Sequence, residues 1–306
     1  MKKPRVAALI LTYNDSTIVR KCIESIQNSD YEFLDIYLID NGSKPNFLLE
    51  IRDVFPNLEV FVLKKNIGFS GAFNFVIKEI CKNQGAKISY FWLLNNDIEV
   101  ERDTLSKLIS NVRDDHSIGF AGPETFKRGQ KSEHDQWITY LPDVKNPGKI
   151  ELDNEREYGC SSKIDVEYVV GHCLLIKSEV INSVGLMRDF FLFYEEIEWQ
   201  HRSKINGWRS VVIPGSVAYH DRHSFQKPFN TYLRTRNYIF YNRVLLTSEV
   251  SFLIFFIKNL VHLFKDGIIS IIRGSYNYEH TKNFIKGIFH GLFKKLPTFD
   301  EIEVNK

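Results

Sequence analysis

The sequence lacks the features that mark several large classes of protein. Its four cysteines are scattered and none forms a CxxC pair, so a zinc finger, an iron–sulfur site and a thioredoxin-like motif have no support. Thiols without a dense cysteine framework fit a reducing cytosol better than secretion. The net charge is only +2, so the basic excess of a dedicated nucleic-acid-binding protein is also missing, and we expect no nucleic-acid partner.

The chain also lacks a long apolar run. The first run, Val6–Leu11, has six residues and no small-residue cleavage site, so it does not predict a signal peptide. The apolar segment Ser251–Arg273 is interrupted by polar residues at roughly helical spacing, and it falls short of the about 18 uninterrupted apolar residues that span a bilayer. We therefore expect a cytoplasmic protein without a membrane-spanning helix.

The common motifs of nucleotide-dependent enzymes are missing as well. The first predicted strand is followed by Thr12–Asp15 instead of GxGxxG, which disfavours a dinucleotide-dependent dehydrogenase, and no GxxxxGK[ST] of a P-loop NTPase occurs. The segment Gly68–Gly71 is too short for a GxSxG nucleophile elbow. His220 and His223 are not accompanied by HExxH.

What is present is an alternation of strand and helix signals in a chain that is 43% hydrophobic. Asp15 or Ser16 can cap a first helix, and Ser70 can open a later one. This βαβαβ rhythm predicts a parallel, doubly wound sheet. Residues 120–165 indicate irregular loops and edge strands. The predicted strands are Val6–Leu11, Ile36–Ile39, Val60–Leu63, Tyr90–Leu94, Val166–Val170, Cys173–Ile176 and Val211–Ile213, with helices at Ser178–Val184 and from Glu195 to about Gly207.

Polar clusters follow four of the predicted strands, at the point where each strand ends. They are Thr12–Asp15, Asp40–Ser43, Asn66–Ser70 and Asn95–Asp97. Ligands of open α/β sheets bind along the carboxyl edge of the strands. The sequence therefore predicts a ligand site at that edge.

Some polar residues at this edge have two readings. Asp97, beside two amides, could provide an oxygen site for Mg²⁺ or Mn²⁺, or it could cap the next helix. His220 could add an imidazole ligand, or it could be an ordinary surface or core histidine. Asp40 could accept a hydrogen bond from a base imide, with Thr12 helping to hold the ring, or it could serve only its turn.

A second acidic cluster follows the aromatic segment Phe190–Tyr194. It consists of Glu195, Glu196 and Glu198. A carboxyl group beside an aromatic wall is partly desolvated, which raises its pKa and suits a general base. Alternatively, these acids only complement the dipole at a helix N-terminus.

Seven segments of the chain, in their order and spacing over roughly residues 5–225, resemble an inverting glycosyltransferase of family 2. They resemble most the bacterial rhamnosyltransferases and galactofuranosyltransferases of polysaccharide synthesis. The later segment Tyr232–Arg243 also resembles the Arg-Asn region of those enzymes. The seven segments are Val6–Asp15, Tyr37–Ser43, Asn66–Asn74, Leu93–Asp97, Gly171–Ile176, Phe190–Trp199 and Tyr219–His220.

The resemblance implies a GT-A fold, a Rossmann-like mixed α/β sheet flanked by helices, with amphipathic helices at the C-terminal end. It implies a catalytic domain at 1–225, whose donor-binding half is about 1–100 and whose acceptor-binding half, which carries the base, is about 101–225. It also implies a helical region at 226–306 for membrane association or dimerisation. The implied general base is Glu196. The implied metal ligands, for Mn²⁺ or Mg²⁺, are Asp97, His220 and Asn95. The implied substrate-binding residues are Thr12, Tyr13, Asn14, Asp40, Asn41, Asn66, Gly68, Asn95, Asn96, His172, Glu195 and Trp199.

The resemblance implies transfer of rhamnose or galactofuranose from a dTDP- or UDP-sugar to a hydroxyl of a lipid-linked or growing polysaccharide. One alternative is a sugar-nucleotide nucleotidyltransferase, although the Gly-rich basic loop of that class does not follow the first strand. The other is a non-catalytic nucleotide-sugar-binding partner, because Asn95 stands where the family carries the first acid of its DXD motif.

The last predicted helix is amphipathic. Lys282, Lys286, His290 and Lys294 recur every four residues, and Phe, Ile and Leu residues fill the opposite face. Such a helix can lie in a membrane interface, which predicts peripheral association with the inner face of the cell membrane. Alternatively it packs on the catalytic domain or on a second copy, as in a homodimer.

Overall fold

The computed structural model describes residues 3–83, 88–128, 130–134, 163–220, 228–245, 257 and 278–293. The chain divides into two compact units. The first unit is built on a β-sheet. The second contains the segment Asp189–Glu195 and two helices from the C-terminal region.

The sheet of the first unit contains ten strands among the described residues, in the order β3-β2-β1-β4-β9-β6-β10-β5, with β7 beside β6 and β8 beside β10. Strands β3, β2, β1 and β4 are parallel, and β9 lies antiparallel between β4 and β6. The strands are β1 (Val6–Thr12), β2 (Leu34–Asp40), β3 (Glu59–Val62), β4 (Tyr90–Asn95), β5 (Ile98–Val100), β6 (Ile118–Lys127), β7 (Gln130–His134), β8 (Ile164–Val166), β9 (Cys173–Lys177) and β10 (Arg209–His220).

Helices cover both faces of this sheet. Successive residues of a strand point to opposite faces. Ala8 of β1 therefore packs in one core with α1, α2 and α4, while Leu9 packs in a second core with α3, α5 and α6. The helices are α1 (Ser16–Gln27), α2 (Pro45–Val54), α3 (Gly68–Asn83), α4 (Thr104–Val112), α5 (Ser178–Val184) and α6 (Glu195–Ile205).

The predicted mixed α/β sheet flanked by helices is confirmed, and the rhythm of the first hundred residues gives the parallel strands as expected. Asp15 is the cap of α1, since its side chain accepts a hydrogen bond from the Ile18 amide. Helix α3 begins at Gly68, two residues before the predicted Ser70. The sheet is not parallel throughout, because β9 reverses the strand direction after β4.

The prediction of irregular loops from residue 120 is wrong for β6, which is a buried strand between β9 and β10. Strand β10 is also longer than the predicted Val211–Ile213. It continues through Pro214 and Gly215, because a register shift between Ile213 and Val217 accommodates the proline. The predicted strand Val166–Val170 is shorter than expected and ends at Val166.

The second unit contains helices α7 (Pro228–Leu245) and α8 (Tyr278–Phe293). Their backbones approach closely at two glycines of α8. A Cβ at Gly287 would lie 2.8 Å from the carbonyl oxygen of Tyr232, and a Cβ at Gly291 would lie 2.8 Å from that of Arg236. His290 also faces α7, with its Nδ1 2.8 Å from the Tyr232 hydroxyl. The glycines therefore set the spacing of this helix pair.

The outward face of α8 differs from the prediction. Ile285, Phe289 and Phe293 are 60%, 56% and 71% exposed, and Lys282 is exposed beside them. Of the predicted basic face, His290 lies against α7 beside the glycines, whereas Lys282 lies on the exposed side of the helix. Apart from Ile257, the predicted segment Ser251–Arg273 lies outside the described residues. Among the helices that are described, none has the length and apolarity to cross a bilayer.

The second unit also contains the aromatic loop, defined here as Phe190–Tyr194. Phe191, Phe193 and Tyr194 have φ angles of 73°, 71° and 74°, in the left-handed region that bulky residues rarely adopt. Asn237 of α7 is buried, and its Nδ2 lies 2.8–3.2 Å from three carbonyl oxygens of the loop. This buried amide stabilises a backbone that is unfavourable on its own.

Candidate active site

The ends of β1 and β4 meet where the strand order reverses, which is the usual ligand-binding point of such sheets. Thr12 ends β1 and is buried, and the Asn96 Nδ2 lies 3.4 Å from its Oγ1. The neighbouring Tyr13 side chain is exposed. Two of the predicted substrate-binding residues, Thr12 and Asn96, thus lie in contact at this edge.

The turn after β2 is held by its own polar groups. Asp40 is buried, and its Oδ1 accepts a hydrogen bond of 2.8 Å from the Ser43 amide. Asn14, with φ of 61°, donates its amide to Ser43 Oγ and accepts from the Lys44 amide, both at 2.8 Å. The turn function foreseen for Asp40 is therefore present, and its contact with a base stays a prediction.

Asn41 binds the loop that precedes α3. Its Nδ2 donates to Asn66 Oδ1 at 3.2 Å and to the Gly68 carbonyl at 3.1 Å, and its Oδ1 accepts from the Ile67 amide at 2.9 Å. Asn66 Oδ1 in turn accepts from the Gly68 amide. The predicted contact of Asn41 with a nucleotide is at odds with this geometry, because the buried amide is already used to hold the loop.

Asp97 and His220 are brought together by the antiparallel pairing of β5 with β10, in which Ile98 lies opposite His220. The Asp97 Oδ2 lies 3.4 Å from the His220 Nε2, and both side chains are mostly buried. The Asp97 Oδ1 is buried without a hydrogen-bond partner among the described residues. A bound ion or an ordered water can satisfy a buried carboxylate oxygen in this state.

This pair fits a divalent cation, since a carboxylate oxygen and an imidazole nitrogen are both ligands of Mn²⁺ and Mg²⁺ sites. Asn95 ends β4 two residues earlier, and its amide N–H donates to the His172 carbonyl at 2.9 Å. Within the described ranges, no group of three or more His, Cys, Asp or Glu residues could hold a metal ion. The described part of the chain therefore offers Asp97 and His220 as ligands at this point, and an ion held by them would need further ligands.

His172 lies against His220. The two rings stack with centroids 4.6 Å apart and an interplanar angle of 16°. The His172 Nε2 lies 3.0 Å from the Thr125 Oγ1 of β6, and both residues are buried. His172 is thus placed to orient the His220 ring, whereas the sequence predicted a substrate contact.

Glu196 is half-buried at the start of α6 and faces Gly171. A Cβ at Gly171 would lie 3.4 Å from the Glu196 Cγ and 3.3 Å from the Phe69 Cζ. Burial raises the pKa of the Glu196 carboxyl above its ordinary value, and hydrogen bonds from backbone N–H groups, including those of Gly171 and Ile197, partly offset the effect. A raised carboxyl pKa brings a general base closer to neutral pH.

The other members of the acidic cluster differ. Glu198 is buried and accepts two hydrogen bonds from Arg202, so its charge is neutralised inside the protein. Glu195 is buried as the first residue of α6. Trp199 is fully buried and donates its Nε1 to the Gly185 carbonyl, a core position at odds with the predicted substrate contact.

Two residues of this region were not found from the sequence. Thr125 lies in the part of the chain where the strand signal was weak, and nothing in its neighbourhood marks it as a partner of His172. Gln200 is buried one helical turn after Glu196 and bonds both backbone groups of Val169. Its spacing of four residues from Glu196 was the only available signal.

The chain is similar to known proteins in both sequence and structure. The family model described as Glycosyl transferase family 2 matches residues 8–185. No curated protein sequence matches the chain. Among solved structures, a mannosyltransferase, PcManGT, from Pyrobaculum calidifontis in complex with GDP-Man and Mn²⁺ is similar with a TM-score of 0.57 and 12% identity, over 96% of this chain and 88% of that one.

Two other solved structures are also similar. Residues 1–349 of S. aureus TarS in complex with UDP-GlcNAc have a TM-score of 0.60 and 13% identity, over 94% of this chain and 81% of that one. GalNAc-T7 with UDP, GalNAc and Mn²⁺ has a TM-score of 0.60 and 15% identity, over 79% of this chain and 48% of that one. At these identities the likeness shows the shared GT-A fold alone.

Proposed function

Because the chain belongs to glycosyl transferase family 2, we propose that it transfers a sugar from a nucleotide-diphosphate sugar to an acceptor hydroxyl with inversion at the anomeric carbon. The observation that carries this proposal is Glu196, a half-buried carboxyl of raised pKa at the sheet edge that also holds Asp97 and His220. This reaction needs a carboxylate that acts as the base and a site that stabilises the charge of the leaving group.

The donor in this proposal is a dTDP- or UDP-sugar, with rhamnose or galactofuranose as the first sugars to test. The similar structures with bound UDP-GlcNAc or GDP-Man support a nucleotide-sugar donor. Asp97, His220 and Asn95 would hold a Mn²⁺ or Mg²⁺ ion. When bound, such an ion neutralises the charge that develops on the departing diphosphate.

In the transfer step, Glu196 accepts the proton of the acceptor hydroxyl. The hydroxyl oxygen forms its new bond to the anomeric carbon on the face opposite the diphosphate, and the bond from carbon to diphosphate oxygen breaks. A single displacement of this kind inverts the configuration, through a transition state with oxocarbenium character. The half-buried position of Glu196 suits this role, because a partly desolvated carboxylate holds a proton more tightly.

The direct test replaces Glu196 by glutamine, which keeps the shape and removes the base. Glu196→Gln should lower kcat by about 10²- to 10⁴-fold and leave the Kd for UDP or dTDP within about twofold. Glu179→Gln, at an exposed acid of α5, is the control and should keep its turnover. Near-normal turnover of Glu196→Gln, or loss of turnover in Glu195→Gln alone, would contradict the assignment.

The donor class is tested by thermal shift with UDP-, dTDP-, GDP- and CMP-sugars, with and without Mn²⁺. A ligand that binds only the native state raises Tm by mass action, so a metal-dependent rise is expected with a UDP- or dTDP-sugar. A rise with nucleoside triphosphates alone would support a nucleotidyltransferase instead. Binding without turnover on any acceptor would support a non-catalytic partner.

The acceptor that we propose is a lipid-linked or growing glycan at the inner face of the cell membrane. The outward stripe of α8, formed by Ile285, Phe289 and Phe293 beside Lys282, supports this choice, since apolar and basic residues together favour an anionic interface. Replacing Phe289 and Phe293 by serine should abolish sedimentation with anionic liposomes. Unchanged sedimentation would refute lipid contact, and a change from dimer to monomer would identify a homodimer interface.

A further inference from the structure

Gln200 makes an unusually complete set of hydrogen bonds for a buried side chain. It is 1% exposed. Its Oε1 accepts from the Val169 amide at 2.7 Å and from the Ser210 hydroxyl at 3.0 Å. Its Nε2 donates to the Val169 carbonyl at 2.8 Å and to the Glu196 carbonyl at 3.2 Å. A carboxamide has two donor hydrogens and two acceptor lone pairs, so this side chain is saturated and is not a substrate contact.

The bonds to Val169 replace a strand partner. Strand β8 ends at Val166 and β9 begins at Cys173, so Val169 belongs to the segment of chain that connects these two strands. Gln200 pairs with both the N–H and the C=O of this residue, as a neighbouring strand would. The side chain therefore fixes a buried segment that the sheet itself does not hold at this point.

That segment carries both halves of the candidate active site. Gly171 follows Val169 by two residues and faces the base, since a Cβ at Gly171 would lie 3.4 Å from the Glu196 Cγ. His172 follows next and stacks on His220, the partner of Asp97. At its other end, Gln200 bonds the backbone of Glu196 itself. The Gln200 side chain thus links the helical turn that carries Glu196 to the segment that contacts His220.

We propose that Gln200 is a positioning residue that holds the general base in register with the metal-binding pair. This inference rests on the proposed function, in which Glu196 is the base. Gln200 acts through the backbone of Val169 and of Glu196 and touches no reacting atom. Its loss should therefore affect the step that needs Glu196 and leave donor binding at the strand ends intact.

The test uses Gln200→Met, a neutral side chain of similar size that makes none of the four bonds. We expect kcat to fall at least tenfold, because a base displaced by a fraction of an ångström loses alignment, while the Kd for UDP stays within about twofold. We also expect the acid limb of the kcat–pH profile to move to lower pH, because a base released from its burial regains an ordinary pKa. The matched control is Leu108→Ala on α4, which destabilises the core on the other face of the sheet and should change neither kcat nor the acid limb.

Gln200→Asn is the second variant, since it keeps a neutral amide but is one methylene too short to make the same bonds to Val169. It buries no charge and adds no bulk, so it should fold if Gln200→Met does not, and it should show the same separation of kcat from UDP affinity. Variants with lower stability but wild-type kcat and acid limb would overturn the inference and leave Gln200 as a core residue. If Glu196→Gln itself keeps full turnover, the proposed function fails. If Glu196→Gln is inactive and Gln200→Met is not, only this inference fails.

Discussion

Replacing Gly171 by alanine places a single methyl group against the proposed base. The added Cβ would lie 3.3 Å from the Phe69 Cζ, and 3.4 Å and 3.5 Å from the Cγ and Cβ of Glu196. All three atoms belong to side chains, and the φ of Gly171 lies outside the left-handed region, so alanine needs no backbone change. The perturbation therefore acts on the side chains of Phe69 and Glu196.

The magnitude follows from these distances. Carbon atoms in contact prefer a separation of about 3.5–4.0 Å, so the methyl group is too close to the Phe69 ring at 3.3 Å and lies at the short end of ordinary contact with Glu196. Relief of the Phe69 contact shifts the base by at most a few tenths of an ångström. A displacement of about 1 Å at a reacting group costs about 10²-fold in rate, so we expect a loss of about 2- to 4-fold in kcat. Stability should change by less than about 1 kcal/mol, because alanine also restricts the unfolded chain.

The assay measures kcat at saturating donor, the Kd for UDP, and unfolding by denaturant. Gly215→Ala is the matched control, which should change stability and not kcat. Gly215 has φ of 75° and open space around it, so alanine there should lower stability by about 1 kcal/mol and leave kcat unchanged. A Gly171→Ala protein with wild-type kcat would refute the placement of the base at this contact.

Three further predictions concern Glu196, Asp97 and Asn237. The folded-state pKa of Glu196 is raised, so ionisation of its carboxyl opposes folding as pH rises through that pKa. Glu196→Gln should therefore be more stable than wild type at neutral pH. Denaturation at several pH values should show this difference vanish below the ordinary pKa of about 4.3. Asp97→Asn should weaken Mn²⁺ binding at least tenfold with UDP present by calorimetry, and the wild type without UDP should bind Mn²⁺ poorly. Asn237→Ala should lower the free energy of unfolding by about 2–4 kcal/mol in denaturant titrations, whereas Asn283→Ala, whose amide bonds only its own helix, should change it by about 0.5 kcal/mol or less.

The parallel half of the sheet could be predicted because its residues are buried on both faces. Val6–Thr12 is almost entirely apolar and leads directly into a polar cluster, a pattern typical of a central parallel strand. Strand β6 was not predicted because glycines interrupt it. The structure gives the reason, since a Cβ at Gly122 would lie 2.3 Å from the Val169 Cγ1. A glycine required by a tertiary neighbour looks like a loop residue in the sequence.

The candidate site likewise has a part that local sequence patterns predict and a part that they do not. The polar residues at the strand ends could be placed from local patterns, since Thr12 and Asp40 follow their strands directly. The contact of Asp97 with His220 could be expected only from the family resemblance and not from local patterns, because it depends on the pairing of β5 with β10 across more than a hundred residues. The orientation of Asn41 and Trp199 also depends on distant partners, which is why both point inward instead of toward a ligand.

The close approach of α7 and α8 has a consequence for how this part of the chain can change. Gly287 and Gly291 exclude every larger side chain, since even a methyl group would meet a carbonyl oxygen of α7. The outward residues Ile285, Phe289 and Phe293 carry no such restriction. A combinatorial library confined to those outward positions could therefore redirect what the helix binds, while the two glycines preserve the scaffold that presents it.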